Sequence, residues 1–146
     1  MCTDEQWMNA ALSVSLKSCC VKVKVGAVVV YGGNEISRGY NRKYIDDDGE
    51  CVFEKCERSL RGGCFYSIHA EMNAIINAIE EGFSKFDEVV IYTTLAPCLS
   101  CAKLIYRIGI REIRYAESYA KTEGISVEEG VKFLEDMGCN VKRMSR

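Results

Sequence analysis

Two β-rich runs, "KVGAVVVY" and "EISRGY", lie near the start of this chain with only "GGN" between them. A connection so short and glycine-rich predicts a β-hairpin. Downstream, strand-like and helix-like stretches alternate. His69 to Glu81 carries Met72, Ile75, Ile76 and Ile79 at helical spacing, and "EVVIYTT" reads as a buried strand. Cys98 to Gly109 is again helical through Ala102, Leu104, Ile105 and Ile108, and closes on glycine. "EIRYA" is a strand, Val127 to Met137 a helix ending at Gly138, and "NVKRM" a last strand. In front of the hairpin, Thr3 and Gln6 fit a capping box, opening a helix whose apolar face is Trp7, Ala10, Ala11, Val14 and Leu16. The order α-β-β-α-β-α-β-α-β implies an α/β fold, with a mixed sheet covered by helices on both faces.

One stretch stands outside this pattern. Asn41 to Tyr66 is long and polar, and contains Gly49, Gly62 and Gly63 with Cys51, Cys56 and Cys64. A loop of that length inside a small domain is usually functional or anchored. The 146 residues otherwise suit one domain, taken here as 1–146, and the 48% hydrophobic and 27% charged content is ordinary for a globular protein. No apolar run approaches the roughly 18 to 20 residues of a membrane span. "MCTDEQWMNA" lacks the basic start and apolar core of a secretory signal. No membrane association and a cytoplasmic location are therefore expected. The net charge of −2 disfavours a large nucleic-acid partner. Nine cysteines, an odd number, cannot all pair internally, so metal ligation or free thiols are the better readings.

The single histidine and the single proline point to chemistry. His69 stands two residues before Glu71, and Pro97 directly before Cys98-x-x-Cys101. Zinc takes imidazole nitrogen and thiolate sulfur, and a catalytic site keeps three protein ligands plus one open position. His69, Cys98 and Cys101 supply that number. Cys98 and Cys101, three apart at a helix start, share one face and can close on one ion. Pro97 suits a helix entry, and the positive end of the helix dipole favours thiolate over thiol. Glu71 as a fourth ligand would remove the open position, so it reads as the group that moves a proton beside the metal. Each piece alone has a plainer account: a redox Cys-x-x-Cys pair, a structural histidine, a glutamate that complements a helix dipole. Together they match the H-x-E…P-C-x-x-C arrangement of zinc deaminases.

On "VGAVVV", "GYN" at Gly39 to Asn41, "HAEMNAI" and "TLAPCLSCAKLI", the sequence resembles the cytidine deaminase-like superfamily, and within it the deoxycytidylate (dCMP) deaminases. The resemblance implies a three-layer α/β/α sandwich around a five-stranded mixed sheet. It also implies zinc on His69, Cys98 and Cys101, and Glu71 as proton shuttle. The implied reaction is hydrolytic deamination of dCMP to dUMP and ammonia: Glu71 carries a proton from the attacking water to N3 of the cytosine ring, C4 is attacked, and ammonia leaves. By the same resemblance Asn41 holds the nucleotide, Tyr119 lies near the base, and Ala70 with Thr94 to Ala96 lines the pocket. Plainer readings are a turn-capping Asn41 and a packing Tyr119.

The sequence departs from the family pattern in two places. Lys17-Ser18 stands where Arg-Ser is common, so a bidentate phosphate contact is replaced by a point charge. "RKYIDDD" follows "GYN" in place of a glycine- and proline-containing loop linked in relatives to regulation by dCTP and dTTP. Arg42 and Lys43 in that segment are either phosphate contacts or a solvated basic pair. The resemblance further implies a homo-oligomer, often a hexamer, and allows a second, structural zinc on Cys51, Cys56 and Cys64 with Cys19 or Cys20. Free thiols are the simpler reading of those cysteines. The competing functions are deamination of dCTP, guanine or tRNA adenosine by the same chemistry, and a non-catalytic binding role such as DNA uptake. Leu99 after the first cysteine of the pair disfavours a free-cytidine deaminase, which usually has glycine there.

Overall fold

A computed structural model describes residues 3–18, 20, 23–43, 67–118 and 128–144. Its elements are α1 (Asp4–Ser15), β1 (Gly26–Tyr31), β2 (Asn34–Tyr40), β3 (Arg42–Lys43), β4 (Ser67–Ile68), α2 (Ala70–Glu80), β5 (Val89–Leu95), α3 (Leu99–Ile108), β6 (Glu112–Glu117), α4 (Glu129–Asp136) and β7 (Asn140–Arg143). A 3-10 turn at Phe86–Glu88 leads into β5. Five strands form one sheet in the order β2-β1-β5-β6-β7. β1 runs antiparallel to β2 and β5, whereas β5, β6 and β7 are parallel. This is the expected mixed sheet.

The hairpin turns at Gly32 and Gly33, with φ of 57° and 80°. Two successive positive φ values suit the right-handed twist of a hairpin and are cheap only for residues such as glycine. Asn34 is the first residue of β2, paired with Tyr31, so the loop is one residue shorter than "GGN".

Alternation along the strands sorts the core into two layers. Val28, Val30, Tyr92 and Ala116 face Met8, Ala11 and Val14 of α1. Ala27, Val29, Ile91 and Ile113 face the opposite way, against Ala70, Ala74, Ile75 and Ala78 of α2, Ala102 and Ile105 of α3, and Leu134 of α4. Among the described residues the cover is thus unequal, with one helix on one face and three on the other. Strands β5, β6 and β7 advance in one direction, so right-handed crossovers put α3 and α4 on the same side.

Some details differ from the sequence reading. Leu16 is 73% exposed at the C-cap of α1, and Met8 takes the buried place, because Met8, Ala11 and Val14 fall three apart on one stripe. Pro97 precedes the N-cap Cys98 and is not the first helical residue. β3 and β4 form a two-stranded ribbon that no periodicity announced. The remainder of the polar segment, with Cys51, Cys56 and Cys64, lies outside the described residues, as do Cys19, Tyr119 and Val127. Among the described residues no helix is long and apolar enough to cross a membrane.

Candidate metal centre and active site

The site grows from the starts of two helices. Ala96 continues the β5–β6 ladder, its N–H donating to the Glu117 carbonyl at 2.7 Å. Pro97 disfavours helical backbone at Ala96, so the chain stays extended through Cys98 (φ −69°, ψ 169°) before α3 begins. Cys98 therefore occupies the N-cap, and its Sγ accepts a long hydrogen bond from the Cys101 amide at 3.5 Å. Serine or aspartate would ordinarily serve there. Cys101, one turn on, is fully buried and returns to the same face.

His69 is the N-cap of α2 (φ −67°, ψ 150°) and makes no side-chain cap bond. Its Nδ1 lies 3.3 Å from Cys101 Sγ and 3.5 Å from Cys98 Sγ. All three ligand atoms fall within 4.8 Å of one another. A tetrahedral zinc at ordinary bond lengths spans roughly 3.6 Å along an N···S edge. The donor set and its dimensions therefore fit zinc, with one coordination position left over.

The charges suit a cation as well. Cys98 is pulled down to about 4, chiefly by a hydrogen bond from Cys101. Cys101 is pushed up by that same bond and by burial. A divalent cation would hold both as thiolates. Glu71, in the first turn of α2, is 3% exposed. Burial pushes its carboxyl up to about 7, against the opposing pull of His69. A carboxyl poised near neutrality can accept and return a proton at physiological pH.

The other expected site residues are placed variously. Ala70 is fully buried as the first residue of α2. Asn41 is 6% exposed; its Oδ1 accepts from the Val25 amide at 2.8 Å and its Nδ2 donates to the Val23 carbonyl at 2.9 Å. It latches the segment entering β1 to the segment leaving β2, with one amide hydrogen to spare among the described residues. Thr94 Oγ1 accepts from the Gly26 amide at 3.1 Å. Lys17 is exposed, whereas Ser18 is buried, donating to the Asn41 carbonyl and accepting from the Cys20 amide. The Arg42 guanidinium lies 5.6 Å from the centre of the Tyr40 ring.

Sequence reasoning missed two contacts of the elements that carry these residues. A Cβ on Gly130 would sit 2.0 Å from the Pro97 carbonyl oxygen, so the first turn of α4 rests on the backbone that leads into Cys98. A glycine inside a helical stretch was the available signal. Asn73, buried on α2, also escaped notice, although a polar residue repeated four positions on at Asn77 could have been read as a second, non-apolar face.

Comparison with known proteins agrees with this geometry. Residues 1–117 match the model of the cytidine and deoxycytidylate deaminase zinc-binding region. ComE operon protein 2 of Bacillus subtilis (strain 168) is 35% identical over 141 residues, covering 97% of this chain and 70% of that protein. The deoxycytidylate deaminase of Enterobacteria phage T4 is 32% identical, covering 80% of this chain and 78% of its own length. A crystal structure of dCMP deaminase from the cyanophage S-TIM5 in complex with dCMP and dUMP superposes with a TM-score of 0.76 at 28% identity, covering 96% of this chain and 95% of that one. The family match, extending from α1 to the end of β6 and taking in both helix starts, establishes that this chain belongs to the cytidine and deoxycytidylate deaminase family.

Proposed function

We propose that this chain is a deoxycytidylate deaminase that hydrolyses dCMP to dUMP and ammonia, as a single deaminase domain over residues 1–146. The observation that carries the reading is the meeting of one imidazole and two sulfurs beside a buried carboxyl, all four on the first turns or caps of α2 and α3. The named activity of the phage T4 relative and the nucleotides bound in the cyanophage structure support the choice of substrate.

In this reading His69, Cys98 and Cys101 hold zinc, which when bound lowers the pKa of a coordinated water toward neutrality. Glu71 takes one proton from the attacking water and delivers it to ring N3, then takes the proton of the hydroxyl added at C4 and passes it to the departing amine. Its burial keeps bulk water from competing for that proton. His69 makes no side-chain cap bond to the first turn of α2, so the Ala70 backbone has its one N–H to offer the base. The spare amide hydrogen of Asn41 and the ring of Tyr119 complete the proposed nucleotide contacts, with the backbone of Thr94 to Ala96 along the pocket. The product dUMP is a precursor for thymidylate. We assign the enzyme to the cytoplasm, where an odd number of reduced thiols is at home. By family resemblance it forms a homo-oligomer, a hexamer in the simplest case, with dCTP and dTTP as candidate regulators, although "RKYIDDD" replaces the loop tied to that regulation in relatives.

Loss of cytosine absorbance, measured with the zinc-loaded protein on dCMP, dCTP, cytidine and a short RNA, tests this. The highest kcat/KM is expected for dCMP. A clear preference for another substrate would overturn the nucleotide assignment and keep the chemistry. Absence of turnover on all of them by a zinc-loaded chain would favour a binding role.

A further inference from the structure

Strand β2 is an edge of the sheet, and its outward carbonyls need donors. Helix α2 provides two. Asn73 Nδ2 donates to the Tyr40 carbonyl at 2.9 Å, and Asn77 Nδ2 to the Arg38 carbonyl at 2.8 Å. Four helical residues advance about 6.0 Å and two strand residues about 6.8 Å, so asparagines four apart meet alternate carbonyls. Gly39, between those carbonyls, permits the approach: a Cβ there would lie 2.4 Å from the Ala74 nitrogen and 2.6 Å from the Ala70 oxygen.

The two asparagines are not equivalent. Asn77 is exposed, and its side chain makes this one bond among the described residues. Asn73 is 5% exposed, and its Nδ2 also donates to the Ile68 carbonyl at 3.3 Å. Ile68 immediately precedes His69. One side chain thus joins the end of β2, the strand β4 and the first turns of α2. We propose that Asn73 is a positioning residue for the metal centre. By holding the Ile68 carbonyl it orients the peptide entering His69, whose backbone is extended. Through Tyr40 it ties the same point to the strand end that carries Asn41. The inference rests on the zinc reading of His69, Cys98 and Cys101.

The test compares Asn73→Asp with Asn77→Asp in the full zinc-loaded chain. Each change is nearly isosteric, removes the amide donors, and turns a carboxylate toward carbonyl oxygen. Competition with a chromogenic chelator at neutral pH should show zinc affinity falling about 10- to 100-fold for Asn73→Asp, the usual range for partners that orient a ligand. Asn77→Asp should stay within about twofold of wild type, because its bond lies a turn farther from the ligands. Equal losses in the two variants would mean that only the helix–edge seam was weakened, and would overturn the proposal, as would no loss in either. Should Asn73→Asp fail to fold, Asn73→Ala loaded with cobalt(II) serves. An altered cobalt–thiolate spectrum is expected, and a wild-type spectrum would overturn the idea. If the wild-type chain itself bound no zinc, the fault would lie with the zinc reading and not with Asn73.

Discussion

Helix α1 and the pair α2 and α3 all begin at a residue with extended backbone, yet their starts serve opposite ends. At α1 the cap is closed on itself: Thr3 Oγ1 accepts from the Gln6 amide at 3.3 Å, and Gln6 Oε1 accepts from the Thr3 amide at 2.7 Å. Those bonds satisfy donors that a helix start otherwise leaves to water. At α2 the N-cap His69 makes no cap bond, and at α3 Cys98 makes only a long one. The first arrangement spends its side chains on helix stability. The second leaves its cap side chains to a metal ion, and relies on packing from outside: Gly130 of α4 against Pro97, and β2 against α2. The same division runs through the sheet, since among the described residues α1 covers one face and the helices bearing the ligands cover the other.

If this contrast is right, substitutions on the two sides should separate metal content from stability. Cys101→Ser carries the largest effect, with zinc falling from one per chain to almost none by metal analysis; a variant retaining stoichiometric zinc would break the ligand assignment. Glu71→Gln should keep its zinc and lose turnover by at least about a hundredfold, the usual scale of acid–base contributions, as read from dCMP kinetics. Gly130→Ala forces a Cβ to within 2.0 Å of the Pro97 oxygen unless α4 withdraws. Thermal denaturation should register a loss of about 1–3 kcal/mol, typical of overpacking, together with weaker zinc retention.

The remaining two act on the α1 side and should leave zinc untouched. Thr3→Ala removes the capping box and should cost about 1 kcal/mol in urea denaturation. The smallest effect concerns Tyr92, whose hydroxyl donates to Asp4 of α1. Burial first, and that hydrogen bond second, push the phenol above its ordinary value of 10.0. The folded state therefore holds the phenolic proton more tightly than the unfolded chain. Its contribution is complete below pH 10 and shrinks as the pH climbs beyond it. The stability gap between wild type and Tyr92→Phe should narrow over that alkaline range, and a gap independent of pH would show that the Asp4 bond contributes nothing.

What could be read without coordinates was what neighbouring residues settle among themselves. The Thr3–Gln6 box, the Gly32-Gly33 turn, the helical spacing after His69 and the Cys98–Cys101 pairing each involve groups within a single turn of helix or hairpin. Their geometry follows from local dihedrals and hydrogen bonds. Beyond that range the sequence lacked a vote. The meeting of His69 with Cys101, 32 positions later, the reach of Asn73 back to Tyr40 across 33, and the turning of Asn41 toward Val23 and Val25 exist because distant segments share a sheet edge or a core layer. Residue types pointed to zinc and to a proton carrier as expectations; only the packing of α2, α3 and α4 on one face determined where the ligands meet. Contacts between remote segments depend on which surfaces become buried together, and that is a property of the whole chain rather than of any stretch within it.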